Sequence, residues 1–395
     1  MTTTETAGTE HLRNVRPFLN PAYDIDRAPI DTQRTNQYYA NPFRKRISEY
    51  EMLMLYSQPG PDWISGGLNT GGFCNNYSGG RQMWENYGTE AKTIDWFAFR
   101  DPNGRNTPEF AAQKAQENEA AINTMAAYAN QGMYKDMDLE WALEILPTYF
   151  GALAHDQYGV FGSLIAPARD VLADMLRGAV ILCAFDHLDN AETIQAEKVF
   201  LSKNIQGFEA DVAPAKQCWM SDPVYRTDRA VVERLWGDTW DNIETIFALL
   251  MIHEPLFGRF SRQQFFHRLA PLHGDQITPA ILWSNIVAIE MDGKWAIELF
   301  GRCLGQDPKY GDYNRKLMRL WARDWLAQSV AAMRDFAPMF GRTHILHGAG
   351  GAGAAEEAAY SVIGDWARKY APLFELEVDV DKLVKSVRAG YRNSK

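Results

Sequence analysis

With 395 residues, 46% of them hydrophobic and 12% aromatic, the chain has the apolar content to bury one large core or two ordinary ones, which excludes a disordered protein. Its formal net charge of −10 excludes a general binder of nucleic acid or anionic membrane, which needs a surplus of Lys and Arg on one face. Cys74, Cys183, Cys218 and Cys303 form no Cys-x-x-Cys pair, so neither a zinc knuckle nor a thioredoxin-like motif is present, and free thiols in a reducing cytoplasm are expected.

The start of the chain is polar and lacks the apolar core of a signal peptide, and no apolar run approaches the roughly 20 residues that span a bilayer. A cytoplasmic protein is expected. Residues 1–110 are rich in Pro, Gly, Asn, Tyr and Trp, as in QPGPDW at 58–63, GGLNTGGF at 66–73 and SGGRQMW at 78–84. Only Ser48 to Tyr56 has helical spacing there. This texture predicts an extended irregular arm, and its aromatics must be buried against the helical body or another chain. Tyr56, Trp63, Trp84, Trp96 and Phe97 are the candidate interface anchors.

Residues 111–395 read as a helical domain. Thr107-Pro108-Glu109 is a helix start, with a capping hydroxyl and proline in the first turn, and the alanine-rich stretch runs to Gln131. Asp138 opens a helix to about Leu164, bent at Pro147. Pro167 starts another, and Asn190 a further one to Lys203. After a loop containing Pro214 and Asp222-Pro223, helices are predicted over 227–257, 262–269, 278–304 and 313–340. In the last of these Leu317, Leu320, Trp321, Trp325, Val330 and Met333 recur at three- and four-residue steps, which describes a buried stripe. Helices over 355–370 and 380–391 close the chain. Nothing alternates with period two, so the class is all-α.

Several motifs fail on their context. Gly348-Ala-Gly350-Gly351-Ala-Gly353 matches a dinucleotide fingerprint, but no strand of a parallel sheet precedes it, so a connection between helices is expected. His253-Glu254 begins a zinc-protease motif that Pro255 and Phe257 abolish. His344 and His347 are spaced as ligands yet sit where a helix runs out, and there the dipole favours histidine without a metal. A helical diiron site takes Glu from two helices and Glu-x-x-His from two others, because i, i+3 shares one face. His11, His155, His187, His253, His267, His273, His344 and His347 have Gly, Ala, Ala, Leu, Gln, Ala, Gly and His three residues earlier. The chain reads as a long-helix scaffold without a metal, catalytic or cofactor-binding residue of its own.

KRISEYEMLMLYSQPGPDWISGGL at 45–68 resembles the N-terminal region of the hydroxylase β subunits of bacterial multicomponent monooxygenases of the soluble methane monooxygenase type. The likeness continues in Gly79-Gly80-Arg81, Trp84, Thr89-Glu90, Asp95-Trp96-Phe97 and Arg100-Asp101-Pro102. It extends through FGALAHDQYGVF at 150–161, RQQFFHRLAPLHGDQITP at 262–279, CLGQDPKYGDYNR at 303–315, 330–336 and AGYRN at 389–393.

This resemblance implies a ferritin-like helical bundle without diiron ligands. It further implies a catalytic α subunit holding the diiron centre, a γ subunit and a second β subunit in an (αβγ)₂ hydroxylase. A reductase with FAD and [2Fe-2S] that draws on NAD(P)H, and a regulatory protein, complete the system. The α-chain Glu-x-x-His that follows an Asp-x-x-Thr-Pro element corresponds here to Ile289-x-x-Asp292, which cannot reproduce that ligand pair. The loop 69–76 and the stretch NGRNTPEF departing from the methane enzymes leave butane, propane or alkene oxidation as an alternative, beside a self-sufficient carboxylate-site metalloenzyme.

Overall fold

The computed structural model describes residues 89–94, 96–171 and 173–392, all helix, turn or irregular chain. The expected helix at 48–56 and the candidate anchors Tyr56, Trp63 and Trp84 lie outside these residues, as does the side chain of Phe97.

Helix α1 spans Thr107–Gln131. Its cap is Asn106, whose Oδ1 accepts from Glu109 N at 3.0 Å, rather than the Thr107 hydroxyl expected from the sequence. Asp138 caps α2 as expected, accepting from Trp141 N at 3.0 Å. From there the chain winds as a π-helix over Trp141–Phe150 and as an α-helix over Gly151–Asp170. The i→i+5 turns absorb Pro147 without ending the helix, and Pro167 is taken in before it stops. α3, Asp174–Asn204, is continuous through Asn190, which was expected to open a separate helix. Pro214 lies inside a short α4, Val212–Ser221, capped by Asp211, and not in a loop.

α5, Arg226–Gly237, stops short of the predicted 257. α6 begins at Asp241, which caps Asn242–Phe247, and continues as a π-helix over Ala248–His267. Pro255 therefore does not divide it. α7 runs over Ile277–Ile297 and on through the π-helical Glu298–Leu304. α8, Gly311–Phe336, buries Trp321, Trp325, Val330 and Met333, but Leu320 is 64% exposed and does not belong to the stripe. A short α9, His344–Gly348, leads to α10, Gly351–Lys369, and α11, Val380–Arg392. The GxGxxG run spans the α9–α10 junction: Gly348 ends α9, Ala349 and Gly350 connect, and Gly351 opens α10.

Two helical hairpins make the core. α2 packs along α3 across a three-residue connection, and α6 packs along α7; α7 lies on α3 and the start of α6 on α2. α8 and α10 cover α6 from outside, and α11 closes over α8 and α10. The turn before α7 is fixed by Gly274, at φ 73°, where a Cβ would meet Asp136 O at 2.4 Å. His273 O accepts from Asp138 N at 2.8 Å, so the entries to α2 and α7 are tied together. Trp141, Trp295, Trp325 and Trp366 are fully buried, each an apolar burial of about 2–3 kcal/mol or more. Phe265, Phe266, Phe336 and Phe340 pack beside Trp141, several edge to face, as in the 5.4 Å, 84° contact of Phe265 with Phe336.

The end of the expected arm lies on this body. Asp241 O atoms receive Thr89 Oγ1 at 2.6 Å and Glu90 N at 2.7 Å, Asn314 exchanges hydrogen bonds with the backbone of Lys92, and Asp307 Oδ2 accepts from Ile94 N at 2.8 Å. Trp96, expected at a subunit interface, is instead 4% exposed and part of this chain's own core. No described helix is long and apolar enough to cross a membrane.

Candidate functional site

Where α2, α3, α6 and α7 face one another, each contributes buried polar side chains. Gln157 on α2 is the hub. Its Oε1 accepts from His187 Nδ1 on α3 at 2.8 Å, from Asn190 Nδ2 at 3.4 Å and from Asn285 Nδ2 on α7 at 3.2 Å. Its Nε2 donates to Asp156 Oδ2 at 2.9 Å, which fixes the orientation of the amide. The same carboxylate oxygen accepts from Arg262 Nη1 at 3.2 Å, and Arg262 Nη2 donates to Glu254, also on α6.

Burial dominates the electrostatics here. It pushes His187 down to about 4, so the ring is neutral. Asp156 is pushed up by burial, against the pull of the Arg262 guanidinium. A second layer lies alongside. Arg105, from the end of the irregular segment, reaches Asp186 Oδ2 at 2.7 Å and Asp292 Oδ1 at 3.4 Å, and Trp295 Nε1 donates to the same Asp292 oxygen at 3.1 Å. Lys114 bridges Asp186 and Asp189.

This is the place where a ferritin-like bundle holds two irons, and the residues present do not fit them. The i, i+3 pairs turned toward Gln157 are His187-x-x-Asn190 and Asn285-x-x-Ala288, not Glu-x-x-His. The acids Asp156 and Glu254 are already engaged by a fixed guanidinium. On α7 the residue that reaches the centre is Asn285, one turn before the expected Ile289; Ile289 is simply buried, and Asp292 belongs to the Arg105 layer.

The other candidates resolve into structural roles. His253, next to Glu254, has Nε2 3.0 Å from Asp228 and Nδ1 3.1 Å from Ser329, and burial holds its pKa below the usual value. His344 is exposed, with Nδ1 2.6 Å from Glu140. Asp275 and Thr278 of the Asp-x-x-Thr-Pro element cap α7: Asp275 Oδ1 accepts from Ile277 N and Thr278 N, and its Oδ2 takes Trp141 Nε1 at 2.9 Å. The sequence reading missed Gln157, Asn190, Asn285, Arg262 and Arg105. Their signal is polar residues set within otherwise apolar helical faces, as Gln157 is in FGALAHDQYGVF.

A sequence model of the family described as methane/phenol/alkene hydroxylase matches residues 75–307, more than half of the chain. The chain belongs to this hydroxylase family. Among the family's members it is 36% identical over 370 residues to the methane monooxygenase component A beta chain of Methylococcus capsulatus, covering 93% of this chain and 94% of that one. It is also 36% identical to the corresponding chain of Methylosinus trichosporium, covering 92% of each. The small subunit of the propane 2-monooxygenase hydroxylase component of Rhodococcus jostii is 28% identical over 79% of this chain and 82% of its own. The fold matches that of a chain of toluene 4-monooxygenase, with a TM-score of 0.66 at 14% identity, over 80% of this chain and 99% of that one.

Proposed function

We propose that this chain is the noncatalytic β subunit of a diiron hydroxylase that oxidises methane or another short hydrocarbon to the alcohol with O₂ and NAD(P)H. One pairing of observations carries this reading. Identity of 36% to methane monooxygenase beta chains runs over nearly the full length of both proteins, while the bundle centre is filled by Gln157, Asn190, Asn285 and an Arg262 ion pair. A catalytic α subunit would hold the irons. A γ subunit and a second β would complete an (αβγ)₂ assembly in the cytoplasm, served by a regulatory protein and by a reductase with FAD and [2Fe-2S].

Within that assembly the chain supplies shape. The arm expected over residues 1–110 would reach partner subunits through Tyr56, Trp63, Trp84 and Phe97, its end from Thr89 onward being tied to the body of this chain. On the body, Trp240 and Trp283 are 83% and 60% exposed, large apolar side chains of the kind that partner subunits cover. The test is purification from the host through a tag on this chain, followed by a hydrocarbon-dependent NADH oxidation assay with the reductase and regulatory fractions added back. Activity that requires the copurifying chains supports the reading; activity of this chain alone favours a self-sufficient carboxylate-site enzyme. A panel of methane, propane and butane decides the substrate, which the 28% relatives named for propane leave open.

A further inference from the structure

We propose that Cys183, His187 and Asp292 form a buried site for a single divalent cation of the zinc class, separate in kind from any diiron centre. Cys183 and His187 stand one turn apart on α3, at the i, i+4 spacing that shares a helix face, and Asp292 comes from the facing α7. One ligand atom from each lies within 4.8 Å of the other two. Bonds of about 2.0–2.3 Å to sulfur, nitrogen and oxygen would bring such atoms to roughly 3.3–3.8 Å from one another, so rotamer-scale adjustment closes the site.

An independent observation points to a ligand. His187 is 2% exposed, its Nδ1 is held by Gln157 Oε1, and its Nε2 has no hydrogen-bond partner. A neutral ring oriented by a carbonyl on one nitrogen, with a bare lone pair on the other, is how proteins prepare a metal-binding histidine. A buried nitrogen without a partner otherwise destabilises the fold.

The charge around the site also favours a cation. Glu117, Asp186, Asp189 and Asp292 pair with Arg105 and Lys114, and Asp101 also faces Arg105, so acids outnumber bases in this layer. Binding Zn²⁺ to the Cys183 thiolate adds two positive charges and releases one proton to solvent, so the layer gains one positive charge. No electron moves. The 3.4 Å contact of Arg105 with Asp292 is the longer of its two ion pairs and the one a metal would displace.

The test is to produce the full chain, with whatever subunits copurify, in medium supplemented with cobalt as the probe ion. The site predicts one cobalt per chain held by sulfur, seen as a near-ultraviolet thiolate-to-cobalt charge-transfer band. That band must disappear in Cys183→Ser and weaken in Asp292→Asn, with circular dichroism confirming that both fold. Zinc content after growth without cobalt should fall at least tenfold in Cys183→Ser and in His187→Gln. A wild-type chain with neither band nor zinc, or a Cys183→Ser chain that keeps the band, overturns the proposal. Carboxylate and histidine sites give no thiolate band, so partner-held iron does not interfere, and failure here leaves the subunit assignment untouched.

Discussion

Arg262 donates from Nη1 to Oδ2 of Asp156 across 3.2 Å, with both side chains closed off from solvent, and its other terminal nitrogen is held by Glu254. One guanidinium thus pairs with two carboxylates, from α2 and α6, in the interior where a catalytic bundle would place iron. Unlike a metal, that cation is covalently part of the chain.

Arg262→Met is expected to destabilise the chain by about 3–5 kcal/mol, because it leaves two buried carboxylates unpaired. The loss depends on pH. With the guanidinium gone, nothing offsets the burial that raises Asp156, so its folded-state pKa rises further above the unfolded value near 4, the folded state holds the extra proton and stability falls as pH rises. Urea midpoints at pH 5 and pH 8 check this: the variant should lose more at pH 8. Equal loss at both values would mean that the ion pair is not what the substitution removes.

Glu197 presents the opposite situation, a buried acid with no cation. Burial, and next the charge of Asp275, holds its pKa well above the usual carboxylate value, and Thr278 Oγ1 lies 2.9 Å from its Oε1. An acid with a raised folded-state pKa favours folding at low pH, and that contribution is lost as pH climbs from the unfolded value near 4.3. Glu197→Gln keeps the shape and removes the titration. Its stability relative to the parent is therefore expected to improve steadily between pH 5 and pH 8, as read from denaturation midpoints; a difference that does not change with pH would contradict a neutral Glu197.

Gly258 makes room for the ion pair. A Cβ there would lie 2.5 Å from Arg262 Nη2 and 2.7 Å from Glu254 Oε2. A guanidinium on the surface would swing aside, but Arg262 is fully buried and paired on both sides. Gly258→Ala is expected to cost about 1–3 kcal/mol by overpacking, measured as a lowered urea midpoint. No change would show that the α6 interior has slack.

Much of the architecture is legible in the sequence: the all-α class, the Asp138 cap, the long segment from Ile277 to Leu304 and the α8 stripe of Trp321, Trp325 and Met333. Local rules failed where tertiary packing overrode them. Pro147 reads as a bend, and the helical pattern ends two residues after Pro255, because an α-helix loses a hydrogen bond at proline; both in fact sit in continuous i→i+5 turns that spacing at 3.6 residues does not anticipate. Asn190 looks like a cap because its side chain competes for backbone groups, but in α3 it is committed to Gln157. The missing Glu-x-x-His pairs could be read directly. What replaced them could not, since a buried Gln, Asn or Arg is indistinguishable in sequence from a surface one until the helices are assembled.

Trp63 tests the arm. Central, desolvated tryptophans typically contribute about 2 kcal/mol or more to an interface. Trp63→Ala should reduce the yield of assembled hydroxylase on size-exclusion chromatography while leaving iron per intact α chain unchanged. Normal assembly with full activity would remove the arm from the interface.

The central claim, that this chain serves a diiron partner and is not itself an iron enzyme, is tested most directly by native mass spectrometry of the complex recovered through this chain, with iron quantified after the subunits are separated. Two copies each of three different chains are expected, with the iron following the largest partner and none following this chain. A lone chain or homo-oligomer carrying stoichiometric iron would contradict it.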